Sequence, residues 1–146
     1  MSQTAVTSTI GCPRDAVWAV LADFGAISRW APNVEHSSLT TEQADGVDAE
    51  RRVQVGRNAL LERITEWEPG RRLGYTISGL PPVVRFAGNT WTIEGEGEAT
   101  TVTVTTNVDA GPRPPQQLVA RMIGRAMTRA SRELLSGLQN HLEESR

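Results

Sequence analysis

The sequence predicts an α+β fold, a strongly curved antiparallel sheet of about seven strands wrapped around one long C-terminal helix, with two short helices after the first strand. Three observations carry this. From residue 34 to about residue 109 the chain alternates with period two and is punctuated by turn residues. The connections between consecutive strands are short, whereas a parallel crossover needs a dozen residues or more. After Pro112, Pro114 and Pro115 the period turns helical and stays so to about residue 143.

The elements follow in order. Residues 4–10, TAVTSTI, are β-branched and alternating, a strand. Gly11-Cys12-Pro13 breaks it, and Pro13 suits the first position of a helix. Val17, Trp18, Leu21 and Phe24 then recur at helical spacing to about Asp23. A further helical turn around Ala26–Trp30 stops at Ala31-Pro32, because a residue before proline avoids the α region. Six strands are expected at 34–42, 49–55, 59–68, 72–78, 86–94 and 100–108. Between them lie Asp45-Gly46, Gly56-Arg57-Asn58, Pro69-Gly70, Gly79-Leu80-Pro81-Pro82 and Gly95-Glu96-Gly97. The last helix, on the order of 40 Å long, is expected to turn Val119, Met122, Ile123, Ala126, Met127, Ala130, Leu134 and Leu138 inward. Arg121, Arg125, Arg129 and Arg132 form a stripe nearly opposite, read as a solvated face, with a docking surface as the sharper alternative.

The chain of 146 residues has the length of one domain, 1–146. Its net charge of −2 offers no field for nucleic acid or an anionic membrane. All 15 basic residues are arginine, which excludes a Schiff-base lysine. One cysteine, Cys12, allows no internal disulfide, and two distant histidines, His36 and His141, make a histidine metal site unexpected. No cofactor and no metal are expected. The opening MSQTAVTSTIGCP lacks the charged and apolar regions of a leader, and no run reaches the ~18 apolar residues of a membrane helix, so a cytoplasmic protein is expected, without stable membrane insertion. A homodimer is compatible with the chain.

The stretch TAVTSTIGCPRDAVWAVLADFGAISRWAPNV, with its strand, proline, aromatic-bearing helix, aspartate and Trp-x-Pro, resembles the start of the START-like, helix-grip superfamily in its polyketide cyclase/dehydrase and lipid-transport branch. The hairpin WEPGRRLGYTI is similar to that branch's acidic-Pro-Gly-Arg-x-Leu turn. The resemblance spans nearly the whole chain and implies a ligand cavity between sheet and long helix. Ser78-Gly79-Leu80-Pro81-Pro82 resembles the gate loop of plant hormone receptors of the same superfamily. It falls one hairpin later than that gate, so the role is not carried over.

The site expectations centre on residues 59–68. Turning Leu61, Arg63, Thr65 and Trp67 inward leaves Glu62 and Glu66 in water, and the resemblance implies pocket aromatics and an arginine on that face. Arg63 would then hold a carboxylate or stabilise an enolate oxygen. An ion pair with Glu50 or Glu62, or a guanidinium reaching the pocket mouth, are the alternatives. Tyr75, Asn89 and Trp91 are expected pocket walls, with Tyr75 able to donate a hydrogen bond or a proton. Trp30 and Phe24 close one end, and Val104, Thr106, Met122, Ile123, Ala126 and Met127 complete the lining. For each aromatic, plain core packing is the competing reading. His36 reads as a surface residue rather than a general base, and no nucleophile motif is present.

Three functions compete on these residues. The favoured one is binding of a hydrophobic small molecule of lipid, polyketide or isoprenoid type. The second is a polyketide cyclase, aromatase or dehydratase that folds a flexible chain, with Arg63 and Tyr75 as catalytic groups. The third, an interaction surface on the arginine stripe, has the least support.

Overall fold

The computed structural model describes residues 2–144. Strand β1 (Ser2–Ile10) leads to helix α1 (Arg14–Ala22) and a 3-10 helix (Phe24–Arg29). Strands β2 (His36–Leu39), β3 (Glu50–Val55), β4 (Asn58–Glu68), β5 (Arg72–Ser78), β6 (Phe86–Glu94) and β7 (Thr100–Asp109) follow, and α2 (Pro114–Glu144) ends the chain. The seven strands form one antiparallel sheet in the order β1-β7-β6-β5-β4-β3-β2. Consecutive strands from β2 to β7 are neighbours because their links are too short for a parallel crossover, and β1 closes onto β7. The helix-grip fold expected from the sequence is the one observed, with α2 packed along β1 and β7.

Local differences have local causes. Pro13 sits one position before α1, in extended conformation, and its carbonyl accepts from the Ala16 and Val17 amides. The strand expected at 34–42 shortens to His36–Leu39, where it pairs with β3. At the β4–β5 turn Gly70 takes φ +77, which a side chain would disfavour. The core joins the sheet, α1, the 3-10 helix and the C-terminal half of α2 through residues such as Ile10, Val17, Phe24, Ile64, Trp91, Val102 and Leu138.

One expected face, that of β4, is turned the other way from Leu61 to Thr65. In β4, Glu62 and Ile64 are buried, while Leu61, Arg63 and Thr65 are exposed. Between Ile64 and Glu66 the register with β5 shifts, leaving Thr65 as the extra residue of a bulge. That single residue lets Ile64 and Trp67, three apart, face the same side, and Trp67 meets Trp18 edge-on with ring centroids 5.0 Å apart. In α2 the expected inward face holds for Leu134 and Leu138, which are buried with Ala120, Gly124, Ser131, Leu135, Gly137 and Leu142, and for the half-buried Val119, Ile123, Met127 and Ala130. Met122 lies ~200° around a regular helix from Ala120, and it is 63% exposed. Ala126 is exposed as well. The helix turns its small residues to the sheet because it runs close to β1 and β7: the Thr4 and Thr128 hydroxyls are 2.6 Å apart.

Candidate functional site: a polar-floored cavity under the long helix

A cavity of about 110 Å³ lies between the concave sheet face and α2. Its apolar wall comes from Ile27, Val34, Val53, Ile77 and Leu134, among others, with Met127 and Ala130 from α2 and Leu80 from the β5–β6 loop. Five polar residues also line it: Asn33, Glu62, Tyr75, Asn89 and Ser131.

The polar residues are joined across three strands and α2. Tyr75 on β5 pairs in register with Asn89 on β6, and Asn89 with Thr106 on β7, so their side chains stand in one row. Thr106 Oγ1 donates to Asn89 Oδ1 at 2.7 Å and lies 3.4 Å from Ser131 Oγ. Asn89 Nδ2 and Trp91 Nε1 both donate to the Tyr75 hydroxyl, at 3.3 and 3.2 Å. Burial pushes the Tyr75 phenol pKa above its ordinary 10.0, and the Glu62 carboxylate pushes it further the same way. Arg51 and the two donated hydrogen bonds oppose this without cancelling it. The phenol is therefore neutral at physiological pH.

Beside the row runs a buried ion pair. Arg51 Nε donates to Glu62 Oε1 at 2.7 Å, and Arg51 Nη1 donates to the Phe24 carbonyl at 3.0 Å. The guanidinium carbon sits 3.7 Å from the centroid of the Phe24 ring and 4.9 Å from that of Tyr75. Both side chains are nearly fully buried, at 3% and 8% exposure. Directly opposite across β3 and β4, the pair is the reason Glu62 can face inward. Among the lining residues, Asn33 has a buried Oδ1 that accepts no hydrogen bond from any described residue.

The expected site residues are thus divided. Tyr75, Asn89 and Met127 line the cavity. Trp91 and Thr106 stand behind them as hydrogen-bond partners, and Trp30 packs edge-on against Trp91 at 6.0 Å. Val104 is core. Trp67 lies with Trp18, and Ile123 joins a small separate cluster around Val108 and Ala120. Leu61, Thr65, Met122 and Ala126 point away from the cavity. Arg63 does too: 48% exposed, it pairs with Glu50 at 3.0 Å and reaches the Asp48 carbonyl at 3.3 Å. Its inward orientation, and with it a catalytic or carboxylate-holding role, is corrected by the bulged register of β4. The sequence reading missed Arg51, Glu62, Asn33 and Ser131.

A curved antiparallel sheet gripping a long helix, with a cavity between them, is the helix-grip fold. The chain belongs to the polyketide cyclase/dehydrase and lipid transport family, which it matches over residues 1–143. Among solved structures it is similar to the ZhuI aromatase/cyclase from Streptomyces sp. R1128, at 21% identity and a TM-score of 0.80, covering 97% of this chain and 93% of that one. A START superfamily protein from Mycobacterium smegmatis has a TM-score of 0.78 at 12% identity, covering 99% of both chains. The protein XoxI from Bacillus cereus has a TM-score of 0.77 at 19% identity, covering 97% of this chain and 96% of that one. No curated protein matches the chain in sequence.

Proposed function

We propose that the protein binds a small, mainly apolar molecule in the cavity between sheet and α2, with the polar end of that molecule at Tyr75. The observation that carries the reading is the enclosure of polar groups on the floor of an otherwise apolar cavity. Family membership supports it. Size narrows it: about 110 Å³ is below the ~300 Å³ of drug-sized sites and a little under the ~150 Å³ of a cavity that admits benzene. A short branched chain suits this space, one ring needs its wall to give slightly, and a long acyl or polyketide chain requires Leu80 and Met127 to move aside.

A second reading is an enzyme of the cyclase or dehydratase type, as the aromatase/cyclase neighbour suggests. The neutral Tyr75 phenol favours it, since a buried hydroxyl held by two donors can protonate or orient a developing oxyanion. Arg63 has no part in this version.

The test is a thermal-shift and calorimetric screen of small cyclic compounds against the wild type and Ala130→Phe, whose ring fills the cavity from α2. A ligand at a hundred times its dissociation constant raises stability by about 2.7 kcal/mol, and that shift is expected to vanish in Ala130→Phe. Equal shifts in both proteins would place binding elsewhere. Turnover of a bound compound, lost in Tyr75→Phe, would favour the enzyme.

A further inference from the structure

We propose that the cavity selects neutral compounds carrying both a hydrogen-bond acceptor and a donor, such as hydroxylated one-ring ketones, and turns away carboxylates. The inference rests on the binding reading above and adds the chemistry of the ligand.

The acceptor is called for by Tyr75. Its oxygen already accepts from Asn89 Nδ2 and Trp91 Nε1, the two places a phenol oxygen offers. Among the described residues no acceptor meets its own proton, and Tyr75 lines the cavity. That O–H is a donor aimed at a ligand carbonyl. The donor is called for by Asn33, whose buried Oδ1 has no partner on the same cavity's wall. A ligand hydroxyl supplies what it lacks, and an apolar ligand leaves both groups unsatisfied.

Charge is decided by Glu62. It is the one carboxylate among the lining residues, and no arginine lines the cavity. The nearby cation, Arg51, is committed to Glu62, to the Phe24 carbonyl and to the Phe24 ring. An anionic ligand would give up its hydration to face a carboxylate with no free counter-cation. A neutral ligand avoids that cost.

The experiment titrates the full chain with five one-ring probes at pH 7.5: 4-hydroxyacetophenone, acetophenone, phenol, toluene and benzoate. Calorimetry gives affinity, and methyl NMR signals of Ile77 and Leu134 report occupancy of the cavity. 4-Hydroxyacetophenone is expected to bind most tightly and benzoate most weakly. Tyr75→Phe should weaken acetophenone about fivefold to tenfold and leave toluene unchanged, and Asn33→Ala should do the same to phenol. Two variants on separate elements guard against one that folds poorly, and a melt of each checks folding. Benzoate binding as tightly as its neutral counterparts would overturn the inference. So would toluene matching 4-hydroxyacetophenone, though cavity binding would then stand. If no probe perturbs Ile77 or Leu134, the binding reading falls together with this one.

Discussion

Arg51 and Arg63 stand twelve residues apart on neighbouring strands, and their surroundings give them opposite energetics. Arg63 and Glu50 meet at the surface, where water and side-chain entropy cancel most of the attraction. Arg63→Leu is therefore expected to change stability by no more than about 1 kcal/mol in urea unfolding. Arg51 and Glu62 meet in the core, and removing one leaves the other charged and dry. Glu62→Ala should cost about 3–5 kcal/mol, while the double variant Arg51→Met with Glu62→Leu should recover much of that loss. If Glu62→Ala loses as little as Arg63→Leu, the buried pair is not a stability element. Both pairings follow from the two-residue turn at Gly56-Arg57, where Val55 opposes Asn58. Counting back from it puts Arg51 opposite Glu62 and Glu50 opposite Arg63, two charge-matched pairs. In the sequence the turn reads one residue longer, as Gly56-Arg57-Asn58, so neither this register nor the inward-facing pair was legible there.

At the scale of elements, the ends of the strands and the start of α2 were readable because glycine, proline and asparagine act locally. The apolar face of α2 was largely readable too: Leu134 and Leu138 are buried, Val119, Ile123, Met127 and Ala130 are half-buried, and only Met122 and Ala126 fall outside it. The small residues on the buried side were not read, and Gly137 shows their use. A Cβ there would overlap the Trp30 carbonyl oxygen and the Pro32 ring. Alanine in a helix interior ordinarily gains about 1 kcal/mol over glycine. Gly137→Ala is instead expected to lose about 1–3 kcal/mol by overpacking against backbone. Gly124→Ala is the control: its Cβ would meet only the Ser2 hydroxyl, at 3.1 Å, which can rotate away. Urea unfolding of the two variants should separate them, and equal effects would remove the close approach of α2 to the Trp30–Pro32 segment as the cause.

For the whole molecule, the neutral Tyr75 predicts how stability responds to alkali. Below pH 10 the folded and unfolded chains both hold the phenolic proton. Above its ordinary pKa of 10.0 the unfolded chain releases the proton first, because the folded value is raised. Stability should thus fall as pH rises past 10, at up to about 1.4 kcal/mol per pH unit, until the folded phenol also ionises. Tyr75→Phe should flatten this part of the profile. The chain has one tyrosine, so tyrosinate absorbance reads this group alone. A midpoint at or below 10.0 in the folded protein would contradict the burial argument. The sequence by itself determined the order of β2 to β7 and the presence of the gripping helix, since short links leave each of those strands only its neighbour to pair with, whereas the pairing of β1 with β7 was decided by the tertiary structure. Tyr75 and Asn89 were singled out from sequence on separate grounds, the first for a phenol able to donate and the second as an asparagine in a strand, where that residue is depleted. The cavity's charge and shape were settled only when strands and helix packed together. One bulged residue at Thr65 and the close approach of α2 to Trp30 and Pro32 at Gly137 shaped the interior, and both answer to contacts between residues far apart in the chain.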